Sequence, residues 1–370
     1  MKKKNYFEYL YLVILGSLTS LSLPPYNLIF INFITFSLFF IYIFRKKNSI
    51  NKNKAFFHGW FFGFGYFLSN LYWITISLTF DENFKFLIII ALILIPSFLA
   101  IFYGLATYFF SLININKPVS SLFLISLLFG LIEFLRGTIL TGFPWNLIAY
   151  SFSNNIEIIQ IISFIGTYAF NILCISFFLS PAIFVLKQNN KEIIVSIFLL
   201  LLPFILYMTG SLKIKSFQKL SLTKNDYVIR AVGSNIELER FYGNTDTASV
   251  IDELIMLSDP NLNMKTLFVW PEGIIPNINK LELKKFEALF NDRFNNNHLL
   301  AIGINTYEYN DDKNIFYNSF YFYDNEINLI DSYNKVKLVP FGEFLPFEKL
   351  LGSIGLKSLT NNYQSFSKGN

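Results

Sequence analysis

The chain has 370 residues, of which 53% are apolar and only 15% are charged. Because a soluble domain carries about 25% charged residues, this composition indicates a membrane protein. The net charge of +5 does not indicate a nucleic-acid partner, since the lysines cluster between long apolar runs and no nucleic-acid-binding motif is present. The single cysteine, Cys174, excludes an internal disulfide and a cysteine-based metal cluster.

Long apolar runs in the first part of the chain predict about seven transmembrane helices, since a helix needs roughly 20 apolar residues to cross the hydrocarbon. From Lys213 onward the charge density is that of a soluble protein. We therefore predict a membrane domain over residues 1–212 and a second domain over residues 226–370. The predicted spans cover residues 6–23, 27–44, 55–78, 86–113, 119–135, 158–186 and 193–209.

Lysine and arginine residues predict the orientation of this bundle. They concentrate in alternate gaps between the spans, whereas the opposite gaps carry only Lys85 and Arg136. By the positive-inside rule the N-terminus is cytoplasmic, and seven crossings place the second domain outside the cytoplasm. The residues of the basic gaps are Lys2, Lys3, Lys4, Arg45, Lys46, Lys47, Lys52, Lys54, Lys117, Lys187 and Lys191.

Two features of the predicted spans concern packing and charge. Gly59 and Gly63 have the small-xxx-small spacing that lets helices pack closely. Glu133 and Arg136 are three residues apart on one helical face and can pair. Charged residues at the end of a span are usually functional or paired, and this pair could equally serve only to cap the helix end before the interfacial residues 142–145.

From Asp226 onward the apolar pattern alternates between strands and helices, which predicts an α/β domain with helices packed on a sheet. Glu272 ends the predicted strand "TLFVWPE", a position where burial would raise the pKa of a carboxyl group and suit it to general-base catalysis. Lys335 and Lys337 alternate along the predicted strand "INLIDSYNKVKLV" and should share one face. A glutamate at the end of a strand is more often only a solvated side chain. Glu272 therefore indicates a catalytic site only in combination with the two lysines.

In combination, "VWPEG" and "YNKVKLVPFGEFLP" resemble the glutamate and lysine motifs of the nitrilase superfamily, which uses a Glu–Lys–Cys triad to form a thioester. With the membrane half, the chain resembles the apolipoprotein N-acyltransferase family. The resemblance implies a multi-pass α-helical membrane domain plus an α/β nitrilase-like domain, an αββα sandwich, on the extracytoplasmic side. Further matching stretches are "LSLPPYNL", "GWFFGFGYFLSNLYWI", "EFLRGTILTGFPWNLIAYS", "QIISFIGTYAFN", "YNS" and "SFSKG".

The same resemblance implies a role for four residues of the second domain. Glu272 would be the general base. Lys335 would stabilise the oxyanion, and it is preferred to Lys337 because it directly follows a Tyr-Asn pair. Glu343 in "PFGE" would be an auxiliary carboxylate, and Asn318 in "YNS" is a lesser candidate.

Two departures from the family pattern concern a cysteine and a tryptophan. The family's nucleophilic cysteine lies beyond the lysine in a Cys-Tyr-Glu motif that these 370 residues do not contain. Cys174 cannot replace it, because a thiolate inside an apolar run is disfavoured. The second departure lies near Phe241 and Tyr242, where the family usually has a tryptophan. We therefore expect a C-terminally truncated enzyme that is inactive as written, with downstream sequence supplying the cysteine.

The implied activity is N-acylation of the N-terminal diacylglyceryl-cysteine of lipoproteins, with a phospholipid as acyl donor and a thioester acyl-enzyme as intermediate. The implied location is the bacterial inner membrane, in contact with membrane lipids and with the catalytic domain in the periplasm. No metal or nucleotide motif is present, so we expect no cofactor. The alternatives are a membrane-tethered nitrilase-like amidase, an inactive membrane paralogue, and a transporter, which would need more intramembrane charges along a path.

A reporter fused after Lys213 tests the predicted orientation. We expect a reporter that matures only outside the cytoplasm to be active there, because seven crossings end on the outer side. Activity of a reporter that needs the reducing cytoplasm at the same position would show that the count of seven spans is wrong.

Overall fold

The computed structural model describes residues 2–79, 82, 85–220, 226–234, 246–275, 278–310, 313–340, 342–347 and 365–370. The chain divides into two compact units, residues 1–221 and 222–370. We describe each unit by itself.

Long helices occupy all seven stretches of the first unit that were predicted as spans. Among the described residues, four of them are long and apolar enough to cross a membrane, and these are Leu87–Leu112, Pro118–Thr138, Ile162–Leu179 and Lys191–Gln218. The other three are shorter or more polar: Phe30–Lys46 has 17 residues, and both Lys2–Ser20 and Lys52–Leu71 begin with a lysine. The structure thus supports a membrane domain, and the count of seven spans stays a prediction. The helices are α1 (Lys2–Ser20), α2 (Phe30–Lys46), α3 (Lys52–Leu71), α4 (Leu87–Leu112), α5 (Pro118–Thr138), α6 (Ile156–Ile159), α7 (Ile162–Leu179), α8 (Ala182–Leu186) and α9 (Lys191–Gln218).

The stretch predicted as a span over residues 158–186 contains a candidate span, Ile162–Leu179, but it is not one continuous helix. Gly166 interrupts α7 with φ 76° and ψ 167°, a conformation that only glycine adopts without strain. Pro181 follows α7 and has no N–H group to continue the helical hydrogen bonds. The helix α7 is therefore kinked at Gly166, and Pro181 marks its junction with α8.

Glycines allow α1, α3 and α4 to pack backbone against backbone, as the small-xxx-small spacing predicted. A Cβ atom at Gly59 would collide with the Tyr103 carbonyl and the Thr107 hydroxyl, and one at Gly63 would lie 2.8 Å from Tyr103 Cβ. On the other side of α3, a Cβ at Gly65 would collide with the backbone of α1. This close approach brings many backbone atoms into van der Waals contact, which drives helix association in lipid.

The second unit contains a mixed five-stranded sheet in the order β1-β2-β3-β4-β5. Strands β1, β2 and β3 are parallel, whereas β4 is antiparallel to both β3 and β5. The parallel connections pass through α10 and α11, as expected for strand–helix–strand units. The elements are β1 (Val228–Ala231), α10 (Thr247–Ser258), β2 (Thr266–Trp270), α11 (Glu287–Asn291), β3 (His298–Asn310), β4 (Lys313–Tyr323) and β5 (Leu329–Asn334).

One face of this sheet packs against α10 and α11 to form the core of the second unit. Trp270 is 1% exposed and its Nε1 donates to Ser258 Oγ at 2.9 Å, which ties β2 to the end of α10. Residues of the opposite face, such as Leu299 and Tyr333, are about half exposed (46% and 55%). The observed sheet and helices agree with a sheet-containing domain; the αββα sandwich and the domain limits 1–212 and 226–370 stay predictions.

The pair Glu133–Arg136 is buried inside the first unit, with side chains 1% and 0% exposed. Arg136 Nε lies 2.6 Å from Glu133 Oε2, so the predicted pairing is confirmed. Arg136 Nη1 also donates to the carbonyl oxygens of Phe143 and Trp145, at 2.6 and 2.9 Å. The pair therefore does more than cap α5, because it holds the loop that follows the helix.

Replacing Arg136 with Met should destabilise the first unit by about 3–5 kcal/mol, because the Glu133 carboxylate would stay buried without its counter-ion. Unfolding by sodium dodecyl sulfate in detergent micelles, followed by tryptophan fluorescence, measures the loss. The double variant Glu133→Gln/Arg136→Met is the control and should recover part of it, since an amide costs less to bury than a charge. A stable Arg136→Met protein would contradict this account.

Candidate active site

Glu272 lies two residues beyond the carboxyl end of β2, on a loop that lies directly over β3. Gly303 of β3 makes this possible, since a Cβ there would collide with the Pro271 carbonyl and lie 2.6 Å from Glu272 Cα. The Ile274 N–H donates to the Gly303 carbonyl at 3.2 Å and closes the loop. Gly273 has φ +56°, in the left-handed region that glycine adopts readily. The local sequence Pro-Glu-Gly thus turns the chain and exposes the carboxylate.

Lys335 is the first residue after β5, and the prediction that Lys335 and Lys337 share the face of a strand was wrong. The strand ends at Asn334, and the chain bends at residues 336–337. The backbone of Lys335 is nevertheless fixed, because its N–H donates to the Asn318 carbonyl at 2.8 Å and its carbonyl accepts from Gly369 N–H at 3.0 Å. Among the described residues Lys337 has no ion-pair partner.

Lys335, Asn318 and two glutamates form one polar network. Lys335 Nζ lies 2.9 Å from Glu343 Oε1 and 3.1 Å from Glu272 Oε1. Asn318 Nδ2 donates to Glu272 Oε1, and also to Glu343 Oε1 at 2.7 Å. The exposed fractions of the side chains are 10% for Glu343, 29% for Lys335 and 64% for Glu272. Glu343 therefore lies beneath the lysine, and Glu272 faces the solvent, where a substrate can reach it.

Glu343 is held by the turn that precedes it. Its Oε2 accepts from the Val339 N–H at 2.7 Å, and its own N–H donates to the Val339 carbonyl at 2.9 Å. Its carbonyl accepts from Phe366 N–H at 2.8 Å. Because both carboxylate oxygens have donors, Glu343 is a fixed negative charge that orients the lysine.

The pKa values of Glu272 and Lys335 shift so that both groups stay charged. Partial burial raises the pKa of Glu272, but hydrogen bonds from Asn318 and Lys335 lower it further, so the net pKa lies below its ordinary value. Partial burial lowers the pKa of Lys335, and its bonds to Glu343 and Glu272 more than offset this, so its pKa is raised. The expected raised pKa of Glu272 was therefore wrong, because an adjacent cation outweighs burial. An ionised carboxylate can accept a proton, and an ammonium group can donate to an oxyanion.

Sequence reasoning ranked Asn318 as a lesser candidate, and the structure places it at the centre of the network. Sequence reasoning also missed a hydrogen bond between β4 and β5, in which Ser319 Oγ donates to Asn334 Oδ1 at 2.7 Å. The only available signal was that both asparagines follow a tyrosine, next to Ser319 and Lys335.

Some residues of the prediction lie elsewhere. Cys174 is fully buried in α7 of the first unit. Phe241 and Tyr242, where the family pattern has a tryptophan, lie outside the described residues. Over the part of the chain that the structure describes, no cluster of three or more His, Cys, Asp or Glu side chains could hold a metal ion. Between the carboxylates of Glu272 and Glu343, the positive charge is the ammonium group of Lys335.

Comparison with known proteins gives a consistent result over both units. The sequence profile of the family described as "Apolipoprotein N-acyltransferase N-terminal domain" matches residues 15–179. The apolipoprotein N-acyltransferase of Rhodopseudomonas palustris is 30% identical, over 96% of this chain and 68% of that protein. The enzyme of the same name from Rhizobium rhizogenes is 28% identical, over 96% of this chain and 69% of the relative. The one from Rhizobium etli is 30% identical, over 95% and 68%.

The alignments with these three relatives cover 95% or 96% of the chain, so they extend from the membrane helices into the sheet. The relative from Rhodopseudomonas palustris is 30% identical over nearly the whole of this chain and two thirds of its own length. The two proteins therefore share a fold and a common ancestor. The chain belongs to the apolipoprotein N-acyltransferase family, a family of acyltransferases.

Proposed function

We propose that this chain carries the base and the oxyanion-binding lysine of a site that transfers an acyl group from a phospholipid to a lipoprotein. The acceptor is the α-amino group of an N-terminal diacylglyceryl-cysteine. The observation that carries the proposal is the ammonium group of Lys335, which lies within 3.1 Å of Glu272 and 2.9 Å of Glu343. The family relationship supports the choice of reaction.

In the first step Glu272 takes the proton of a cysteine thiol, and the thiolate attacks the ester carbonyl of the phospholipid. Lys335 Nζ donates to the oxyanion of the tetrahedral intermediate, a contribution that reaches several kcal/mol in such sites. The carbon–oxygen bond then breaks, and the lysophospholipid leaves with the proton from Glu272. The acyl group remains on sulfur as a thioester.

In the second step the free amine of the lipoprotein attacks the thioester, and Glu272 accepts the proton that the amine loses. The carbon–sulfur bond breaks, and the leaving thiolate takes this proton from Glu272, which restores the thiol and the ionised carboxylate. Each time Glu272 is neutralised, Lys335 keeps only Glu343 as an ionised partner, so its ammonium becomes freer to donate to the oxyanion. Glu343 and Asn318 therefore act by positioning Lys335 and Glu272.

The thiol of this mechanism is not assigned to any of the 370 residues. Cys174 is the only cysteine, and it is buried among apolar side chains of the first unit. Burial raises the cost of forming a thiolate, so this residue is suited to packing and not to nucleophilic attack.

Both substrates of the proposed reaction are lipids, which explains why a soluble-type sheet is joined to a bundle of apolar helices. We propose that the protein spans the bacterial inner membrane several times, that about seven helices cross it, and that the second unit lies in the periplasm. The lysine distribution supports this orientation. Residues 226–370 would then form a nitrilase-like domain.

Labelling with a radioactive acyl phospholipid tests the thioester and the role of Cys174. The 370-residue chain should form no hydroxylamine-sensitive acyl-enzyme and should acylate no diacylglyceryl peptide, because it has no thiol exposed beside Glu272. In any form of the protein that carries the nucleophilic thiol, Cys174→Ala should leave labelling unchanged. A thioester that disappears in Cys174→Ala, with folding intact, would overturn this assignment. Hydrolysis of soluble amides without phospholipid dependence would instead favour an amidase.

The roles of Lys335 and Lys337 can be distinguished in any form of the protein that carries the nucleophilic thiol. Lys335→Ala should lower acylation by a factor of at least about 100, since removal of one oxyanion donor typically costs that much. Lys337→Ala is the matched control and should have a much smaller effect, because Lys337 is exposed and outside the network. Acyl transfer to a synthetic diacylglyceryl peptide gives the rates. The opposite ranking would move the catalytic role to Lys337.

A further inference from the structure

Residues 365–370, which include the stretch "SFSKG", attach to the sheet and to the turn that carries Glu343. The Ser367 N–H donates to the Phe316 carbonyl of β4 at 2.7 Å, and Phe366 pairs with Phe316 in a parallel β-bridge. The Phe366 N–H donates to the Glu343 carbonyl at 2.8 Å. The segment 365–370 therefore fixes the backbone of Glu343 relative to β4.

The same segment holds Lys335 just beyond the end of β5. The Gly369 N–H donates to the Lys335 carbonyl at 3.0 Å, while the Lys335 N–H donates to the Asn318 carbonyl at 2.8 Å. Both backbone polar groups of Lys335 are therefore bonded, although the strand itself ends at Asn334. Because the backbone is held on both sides, the side-chain ammonium can take few positions.

The absence of a side chain at Gly369 makes this attachment possible. A Cβ atom at that position would lie 2.1 Å from the Asn334 carbonyl oxygen and 2.8 Å from Asn334 Cβ. Any larger residue would have to move away from Asn334 by about 1 Å to reach an ordinary van der Waals distance. The hydrogen bond from residue 369 to the Lys335 carbonyl, now 3.0 Å long, would break on such a shift.

The position of Lys335 Nζ determines how strongly this lysine holds its proton. Partial burial lowers the pKa of Lys335, but its bonds to Glu343 and Glu272, at 2.9 and 3.1 Å, outweigh burial and raise the net pKa. A backbone shift of about 1 Å would lengthen these bonds beyond hydrogen-bond distance. Since the effect of burial would remain, the pKa of Lys335 would fall.

We propose that residues 365–370 are a positioning element for Lys335, and that position 369 has to be glycine. The segment holds the ammonium group between the carboxylates of Glu272 and Glu343, and a larger residue at 369 releases it. That this placement serves an oxyanion rests on the proposed function, whereas the placement itself does not.

The experiment measures the pH profile of acetylation of Lys335 in the full 370-residue chain in dodecyl maltoside micelles. Brief pulses of acetic anhydride between about pH 8 and 12 label each lysine in proportion to its uncharged fraction, and mass spectrometry of peptide fragments gives a midpoint for each. The midpoint reports ionisation and the plateau reports accessibility, so a change in exposure alone does not move the midpoint. Lys280 is the internal control for the fold, because its bond to Glu308, 2.8 Å long, raises its pKa without involving residues 365–370.

Three variants of the same chain are compared. Gly369→Ala is the test variant. Gly233→Ala is the matched control, because a Cβ at Gly233 would meet no atom within 4 Å. Ser367→Pro is an independent variant, which removes the N–H that donates to Phe316 and leaves Gly369 unchanged. A proline at 367 suits the extended conformation that Phe366 has in its β-bridge.

We expect the Lys335 midpoint to fall in both Gly369→Ala and Ser367→Pro. The labelling rate of Lys335 below the midpoint, relative to its plateau, should rise about threefold or more, as for the loss of charge-assisted hydrogen bonds that are partly exposed to solvent. The Lys280 midpoint should be the same in every variant, and Gly233→Ala should leave both midpoints unchanged.

An unchanged Lys335 midpoint in Gly369→Ala or in Ser367→Pro, with Lys280 unchanged, would overturn the proposal. If the Lys280 midpoint also falls in one variant, the sheet has lost structure there and the other variant decides. A fall of both midpoints in both variants would show that the segment holds the sheet and not the lysine, which would overturn the proposal as well. Because no acyl transfer is measured, failure of this proposal and failure of the proposed reaction are distinguishable.

Discussion

The candidate site depends on one electrostatic constraint, which is that a lysine ammonium lies between two carboxylates. Lys335 keeps its charge because Glu343 is fixed beneath it and Glu272 lies beside it. The same charge keeps Glu272 ionised, against the effect of its partial burial. Glu272 and Lys335 therefore stabilise each other's charged state, and removal of either one would shift the pKa of the other.

This constraint requires three distant chain segments to meet within hydrogen-bond distance. Glu272 follows β2, Asn318 lies inside β4, and Lys335 and Glu343 follow β5. The mixed sheet achieves this, because antiparallel pairing places Asn318 beside the end of β5 while Gly303 lets the Glu272 loop approach β3. The groups that we propose as base and oxyanion donor, Glu272 and Lys335, are thus carried by loops, and the sheet supplies the rigid frame beneath them.

In the first unit, a buried arginine likewise holds an irregular segment in place through hydrogen bonds. Where lipid surrounds the helices, backbone carbonyls of an irregular loop need donors from the protein itself. Arg136 supplies them to Phe143 and Trp145, and Glu133 balances its charge. The loop that results places Trp145 on Trp73, with the two ring centroids 5.2 Å apart. A polar network inside the bundle thereby shapes a surface at its end.

The sequence by itself determined the two-part organisation, the positions of the long helices and strands, and the identity of Glu272, Lys335 and Glu343 as candidates. Apolar periodicity and lysine placement are local properties, and they follow from the chain without tertiary contacts. Only the tertiary structure decided the end of β5 before Lys335, the break at Gly166, the central place of Asn318 and the lowered pKa of Glu272. Each of these depends on which distant groups come within a few ångströms, and the energy of a charge or of a backbone turn is set by those neighbours and not by its position along the chain.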